Sequence, residues 1–491
     1  MISFNTIPLS LRVPGQYIEF DSSKAVSGLA AIENRVLVVG QKLDSGAAAA
    51  LSIEEVVSSS EGIAKFGRGS ILARMLTAYR KADNYSPVYA IALDDADGAT
   101  SAAGTVTVTG PAAANGTIAL MVAGVRIPVT VAAEETAITV AAKIVAAIAA
   151  KLDLPVTAAV GADPNEHVVT LTARNAGSAG NAIDIRHSHN QGEALPDGIG
   201  LAIVAMAGGA GDPDIDDIWA VIGDGVYRSV IVGLIDDDVA TKLKAELDDR
   251  WGYERMLESV GYAAMSGSQG TLAAFGATQN SELITILGTG SSPTWPAEAA
   301  AIYGAACGYY TALDPARPTQ TLELTGMVAP RDEEQFTRAQ RAALLGSGIA
   351  TFVCDTDGTC RIERSITTYQ YDANNVESEA YLDLETVTTL AYLRATLRTR
   401  IATKYPRCKL ADDGTKYGAG QAIVTPSIIK AEIIALAGEW EDAGLVEDID
   451  QFKTDLIIER STTDVNRVNA LIPPDLVNQF RGFAASIQFR L

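Results

Sequence analysis

Arg35-Val36-Leu37-Val38-Val39-Gly40 carries an unbroken apolar run that ends at a glycine. Such a run, with no polar alternation, suits a strand covered on both faces, as in a parallel sheet between helices. Gly69 to Lys81 follows, with Ile71, Leu72, Met75 and Tyr79 on one helical face. Pro87 to Leu93 is a second apolar run. Strand, helix and strand in this order predict an α/β layer.

Working outward, the composition changes near Asp94. From there to about Gly211 the chain is rich in Ala, Thr, Val and Gly. Strands are predicted at Thr105–Thr109, Thr117–Ala123, Val125–Val131, Val156–Val160 and His167–Ala173, with one Ala-rich helix at about Glu134–Leu152. Gly208-Gly209-Ala210-Gly211-Asp212-Pro213 then reads as a loop. The α/β pattern resumes with strands or short helices at Ile218–Ile222 and Ser229–Leu234, and a helix at Thr241–Trp251. A strand at Leu283–Gly288, a small-residue helix at Ala297–Leu313 and an amphipathic helix at Asp332–Leu345 follow. Ile349–Val353, Asp357-Gly358 and Cys360–Arg364 make a hairpin. Residues 95–211 are therefore read as a mostly-β domain inserted into an α/β domain split between 21–94 and 212–375.

Residues 376–482 read as an α+β domain. Its helices are Tyr381–Lys404 and a second one entered through Pro426 and ending at Gly444, and a strand is predicted at Gln451–Ser461. The two ends read as extended arms. In residues 1–20, Ile7, Leu9, Leu11 and Val13 alternate with Pro8, Ser10 and Arg12 before the Pro14-Gly15 turn. In residues 483–491, Ile487, Phe489 and Leu491 alternate with Gln488 and Arg490. An apolar edge strand without a local partner is a liability unless pairing is its purpose. Burying three apolar side chains does not outweigh the entropy of ordering such an arm. The arms should therefore order only when a neighbour's strands receive them, a head-to-tail contact that propagates.

The net charge of −22 and pI near 4.6 describe a surface that repels phosphate, so no direct nucleic-acid ligand is expected. The N-terminus has no basic region followed by an apolar one, and the most apolar helical stretch, Thr136 to Ala150, is too short to span a bilayer. A soluble chain made in a cytoplasm, without membrane insertion, is expected. The four cysteines, Cys307, Cys354, Cys360 and Cys408, have no metal spacing. Cys354 and Cys360 flank the Asp-Gly turn and lie across the predicted hairpin.

Chemistry-bearing motifs are sparse. There is no phosphate loop, and the pairs Gly288–Gly290 and Gly346–Gly348 do not continue into a dinucleotide fingerprint. Ser266-Gly267-Ser268-Gln269-Gly270 lacks the first glycine of a nucleophile elbow. The histidines are His167, His187 and His189, all in the insert, so the α/β layer has no imidazole base. His187-x-His189, with Glu193 as a conceivable third ligand, reads better as a strand end than as a metal site. Asp212-x-Asp214-x-Asp216 reads as a helix N-terminus, and Asp355-x-Asp357-Gly358 as a turn. No catalytic residue, metal or cofactor is expected. Arg394, Arg398, Arg400, Lys404 and Arg407 form the one basic cluster, either a solvated helix face or a docking surface for an acidic protein.

Four stretches resemble contractile tail sheath proteins of Mu-like phages. They are Arg12-Val13-Pro14-Gly15-Gln16-Tyr17-Ile18-Glu19, with Gln16 where many members carry an aliphatic residue; Phe66-Gly67-Arg68-Gly69-Ser70; Gly348-Ile349 through Asp357-Gly358 to Thr368-Tyr369; and Thr389-Leu390-Ala391-Tyr392-Leu393-Arg394. The resemblance implies a subtilisin-like α/β topology without catalytic residues. It also implies stacked hexameric rings forming a helical polymer around an inner tail tube. The insert would lie outward and the C-terminal domain would face the tube, with Arg394, Arg398, Arg400, Lys404 and Arg407 as tube-facing residues. Baseplate and tail terminator proteins would be further partners. The location would be the virion tail, assembled in host cytoplasm, and contraction would drive the tube through the bacterial envelope for genome ejection. The sheath of a contractile bacteriocin or secretion device is the nearest alternative. A different class, an α/β hydrolase with a β accessory domain, would need a deep polar pocket with a nucleophile and a base, and a surface-layer protein would need an export signal.

Overall fold

The computed structural model describes residues 34–418 and 420–490. The N-terminal stretch of the expected arm, including Ile7, Leu9, Leu11 and Val13, and the final Leu491 lie outside the described residues.

The first elements are β1 (Val36–Gln41), β2 (Ile53–Glu55), α1 (Ser59–Phe66), α2 (Ile71–Ala82) and β3 (Val88–Leu93). All six residues of β1 are buried, as the apolar run predicts. Ser70 caps α2 by accepting from the Ala73 amide, and Ile71, Leu72, Met75, Leu76 and Tyr79 form its buried face.

The insert contains β4 (Ala103–Thr109), β5 (Gly116–Val122), β6 (Val125–Val131), α3 (Ala137–Ala149), β7 (Val156–Val160), β8 (Val168–Ala173), β9 (Ile185–His187) and β10 (Gly200–Ala207). Its strands form an antiparallel sheet β10-β4-β8-β7 and a smaller one β6-β5-β9. Val140, Ala141, Ile144 and Ile148 of α3 are buried. Strands β9 and β10 were not expected from the sequence.

The chain then continues through α4 (Asp216–Ile222), β11 (Ser229–Val232), α5 (Asp237–Trp251), β12 (Val260–Ser266), α6 (Gln269–Gly276), β13 (Ile284–Gly290) and α7 (Pro296–Leu313). Next come α8 (Arg338–Leu345), β14 (Thr351–Cys354) and β15 (Cys360–Arg364). The amphipathic helix expected at Asp332–Leu345 is shorter than read. A 3-10 turn spans Asp332–Glu334, and the helix begins only after Thr337, whose capping box with Gln340 fixes the start.

One six-stranded sheet, in the order β13-β12-β11-β1-β3-β2, draws strands from both sides of the insert. β1 pairs in parallel with β3 and β11, and only β2 runs antiparallel, at the edge. α5 lays Leu243 and Leu247 against Gly261, while α7 brings Gly304 close to the next residue, Tyr262. Successive strand residues point to opposite faces, so the two helices cover opposite sides of the sheet. A Cβ on Gly304 would stand 2.6 Å from Ile231; glycine lets α7 approach β11 this closely.

Cα proximity divides the chain into two compact units, the first comprising Asn34–Ala391 with the tail from Asn478, the second Tyr392–Val477. The boundary falls inside α9 (Leu384–Lys404), whose first turn buries Leu384 and Val387 in the core of the first unit. The second unit contains the rest of α9, β16 (Lys409–Leu410), β17 (Ile423–Val424), α10 (Pro426–Asp442), β18 (Val446–Glu447), α11 (Ile449–Asp455), β19 (Ile457–Arg460), β20 (Val468–Leu471) and β21 (Asp475–Leu476). Buried Trp440 donates its indole N–H to Thr396 at 3.0 Å, with Ile429, Ile433 and Leu436 buried on the same helix. The strand expected at Gln451–Ser461 is instead a helix followed by the short β19. Asp448 caps that helix from a left-handed conformation and accepts from the Gln451 amide, a local device that a period-two reading does not detect.

Candidate subunit interface

The C-terminal arm has a fixed root and an unpaired end. Arg481 Nη2 donates to Glu385 at 2.9 Å and to Asp383 at 3.0 Å. Glu385 is fully buried, and its other oxygen accepts from the amide and hydroxyl of Thr319 at 2.7 and 2.9 Å. Arg364 holds Asp383 through two bonds of 2.9 and 3.0 Å. Sequence reading missed this anchor; its one signal is a cation beside Gly482 in a tail with few charges.

Beyond Arg481 no residue through 490 is in a strand. Phe483, Ile487 and Phe489 are at least 80% exposed. The strand expected at Phe483–Leu491 is therefore absent among the described residues, because no partner strand supplies its backbone hydrogen bonds.

The second unit carries a matching feature. β19 and β20 pair antiparallel with Ile457 opposite Leu471, and both side chains are more than half exposed. A sheet of two strands leaves both outer edges open among the described residues and is marginal by itself.

Among the basic residues on and after α9, Arg400 and Lys404 share one acidic partner. Glu432 accepts from Arg400 at 2.9 Å, Lys404 at 2.6 Å and the Tyr405 hydroxyl at 3.2 Å. Arg400 also pairs with Glu439. Burial would raise the Glu432 carboxyl, but the Lys404 and Arg400 bonds outweigh it and hold it below the usual range. Arg398 and Arg407 are exposed, and Arg394 is half-buried.

Open α/β sheets bind ligands beyond the carboxyl ends of their strands, where the strand order reverses. Here that point lies between β1 and β11, where Pro213 and Ile215 line a small cavity with Gly40 and Gly233. That cavity is about 30 Å³, room for water and not for a substrate. Gln41, at the end of β1, donates to Asp95 and to the Ala176 carbonyl, both at 2.7 Å, which ties the root of the insert to this end of the sheet. A larger cavity of about 360 Å³ beside α2 and α7 holds the Arg74–Glu298 ion pair, and its lining includes no Ser, Cys or His. Ser268 caps α6. His189 Nε2 lies 3.1 Å from the Ala329 carbonyl, and Glu193 pairs with Arg126 at 2.6 Å. Asp216 opens α4, as the helix-start reading of the Asp triplet expects. No helix among the described residues is long and apolar enough to cross a membrane.

Residues 208–368 match the phage tail sheath protein central domain, and residues 376–490 match the phage tail sheath C-terminal domain. Over 490 residues, the whole of both chains, the protein is 39% identical to the Mu-like prophage FluMu tail sheath protein of Haemophilus influenzae. The chain belongs to the phage tail sheath protein family. The resemblance read from the four sequence stretches is met. A solved sheath tail protein from Desulfitobacterium hafniense is 16% identical, with a TM-score of 0.50, covering 95% of this chain and 97% of its own; it is similar in fold. In this sheath protein, nearly all of the insert lies outside both domain matches.

Proposed function

We propose that the chain polymerises as stacked hexameric rings around an inner tail tube, and that contraction drives the tube through the bacterial envelope for genome ejection. The observation that carries this reading is the tail, anchored at Arg481 and displaying unpaired apolar side chains beyond it. The open β19–β20 sheet is the acceptor such a tail requires. In this reading Ile487, Phe489 and Leu491 of one copy add as a strand to a neighbour's sheet, and the N-terminal arm with Ile7, Leu9, Leu11 and Val13 adds likewise. Main-chain hydrogen bonds give the affinity and alternate side chains the register.

The body, residues 21–94 with 212–375, would supply shape as a subtilisin-like layer. The insert, 95–211, would lie outward. Residues 376–482 would face the tube, with Arg394, Arg398, Arg400, Lys404 and Arg407 as the tube-facing residues. Baseplate and terminator proteins would end the polymer. The sheath would assemble in host cytoplasm and reside in the virion tail. The extended sheath would be metastable, so contraction would draw on newly buried area and need no nucleotide.

Removing Ile2–Leu11 or Ser486–Leu491 tests the arms. Negative-stain images of each truncation should contain soluble monomers, while the full chain forms hollow tubes. Long tubes from either truncation would overturn the arm model.

A further inference from the structure

Cys354 ends β14 and Cys360 begins β15, and the two are register partners across the hairpin. In the adjoining pair the Asp355 amide donates to the Thr359 carbonyl at 2.8 Å. The Cys360 carbonyl points away from its partner and accepts from the Leu324 amide at 2.9 Å. The cysteines therefore occupy a non-hydrogen-bonded position, where cross-strand side chains come closest. Cα atoms in such pairs stand about 4.5 Å apart, inside the range a disulfide bridges. Both thiols are free, with Cys360 buried and Cys354 half-buried at the surface.

We infer that Cys354 and Cys360 are a redox-active dithiol that closes to a cross-strand disulfide when a low-molecular-weight disulfide supplies the oxidising equivalents. The Cys354 thiolate, the accessible one, attacks a sulfur of the oxidant and expels one thiolate. Cys360 loses its proton and attacks the Cys354 sulfur of the mixed disulfide, expelling the second thiolate. Two protein thiols become one disulfide, and the oxidant is reduced to two small thiols. Cys360 is buried behind Cys354, out of reach of the oxidant, which assigns it the resolving role.

The other two cysteines do not compete. Cys307 is fully buried, and burial pushes its thiol up to about 12. Cys408 lies in the other compact unit, remote in sequence from the hairpin. Such a dithiol stays reduced in a cytoplasm and closes in an oxidising medium. Closure ties the exposed turn at Asp355–Thr359 into a covalent ring, pinning the two hairpin strands and, through the Cys360 carbonyl, the segment at Leu324.

The test is intact-mass and peptide analysis of the full chain after treatment with oxidised glutathione, with free thiols alkylated before unfolding. The expected product has lost two hydrogens, carries a Cys354–Cys360 crosslinked peptide, and unfolds several degrees higher than the reduced protein. Cys360→Ser should stop at a glutathione adduct on Cys354, whereas a Cys307→Ser, Cys408→Ser double variant should still crosslink. A wild-type chain in which Cys354 keeps its adduct, or in which both hairpin thiols remain alkylatable, would overturn the inference whether or not the serine variants fold.

Discussion

The guanidinium of Arg481 donates at 2.9 Å to the fully buried carboxylate of Glu385, 96 residues earlier in the chain. This contact decides where the body ends and the arm begins. Glu385→Ala leaves the Thr319 amide and hydroxyl without their acceptor and Arg481 with Asp383 alone. Breaking a buried pair from one side costs about 3–5 kcal/mol, so urea unfolding should shift to lower denaturant by that amount. Arg481→Ala leaves the buried Glu385 carboxylate without its cation, so it should also cost stability, and it should in addition loosen the tail, read as faster amide exchange in residues 478–490. Unchanged exchange in that segment would remove the anchor role.

Gly304 gives a packing test. Alanine there gains roughly 1 kcal/mol of helix propensity, but its Cβ would meet Ile231 at 2.6 Å. Overpacking costs typically about 1–3 kcal/mol, so the clash should win. Gly304→Ala should lower the thermal midpoint, and Gly304→Val should lower it further. A rise with alanine would mean that α7 shifts freely on the sheet.

The two histidines of the β9 strand end set a pH dependence. Burial first, then Arg331, lowers His187; burial first, then Arg186, lowers His189. A lowered imidazole is neutral in the fold and binds a proton more readily when unfolded. Its contribution is complete above about pH 6.5 and is lost as pH falls toward the folded value. Unfolding midpoints measured between about pH 7.5 and pH 5 should decline, and a His187→Asn, His189→Asn double variant should decline less. Parallel curves would exclude both groups.

Glu432 tests the basic helix. Replacing it with alanine removes charged hydrogen bonds from Arg400, Lys404 and Tyr405. Bonds to charged groups contribute roughly 1.5–3 kcal/mol, discounted here for partial exposure. The Glu432 carboxyl is lowered, so this stability is present above the ordinary carboxylate range and lost as pH falls through the folded value. Glu432→Ala should therefore cost stability at neutral pH and nothing in strong acid. An equal cost at both would argue for lost packing in place of charge.

Sequence reading found the elements whose signal is local. The apolar run of β1, the capped amphipathic α2, the Asp-Gly hairpin and the Pro426 helix start all stand where periodicity and turn chemistry put them. It missed β12, whose Val260–Ser266 mixes small and polar residues without alternation. It also read Gln451–Asp455 as strand, because a left-handed cap at Asp448 has no signature in hydropathy.

The sequence by itself determined the alternation of strand and helix, the split of the sheet around an insert, and the absence of an imidazole base from the body. Each follows from short-range pattern or from a count. Tertiary structure alone decided that Pro213 and Ile215 line the cavity at the end of β1, that Glu432 engages Arg400 and Lys404, and that Arg481 finds Glu385. These outcomes join residues distant in the chain. Charged and apolar groups settle wherever folding first removes water and then offers a partner, and no local spacing encodes where that will be.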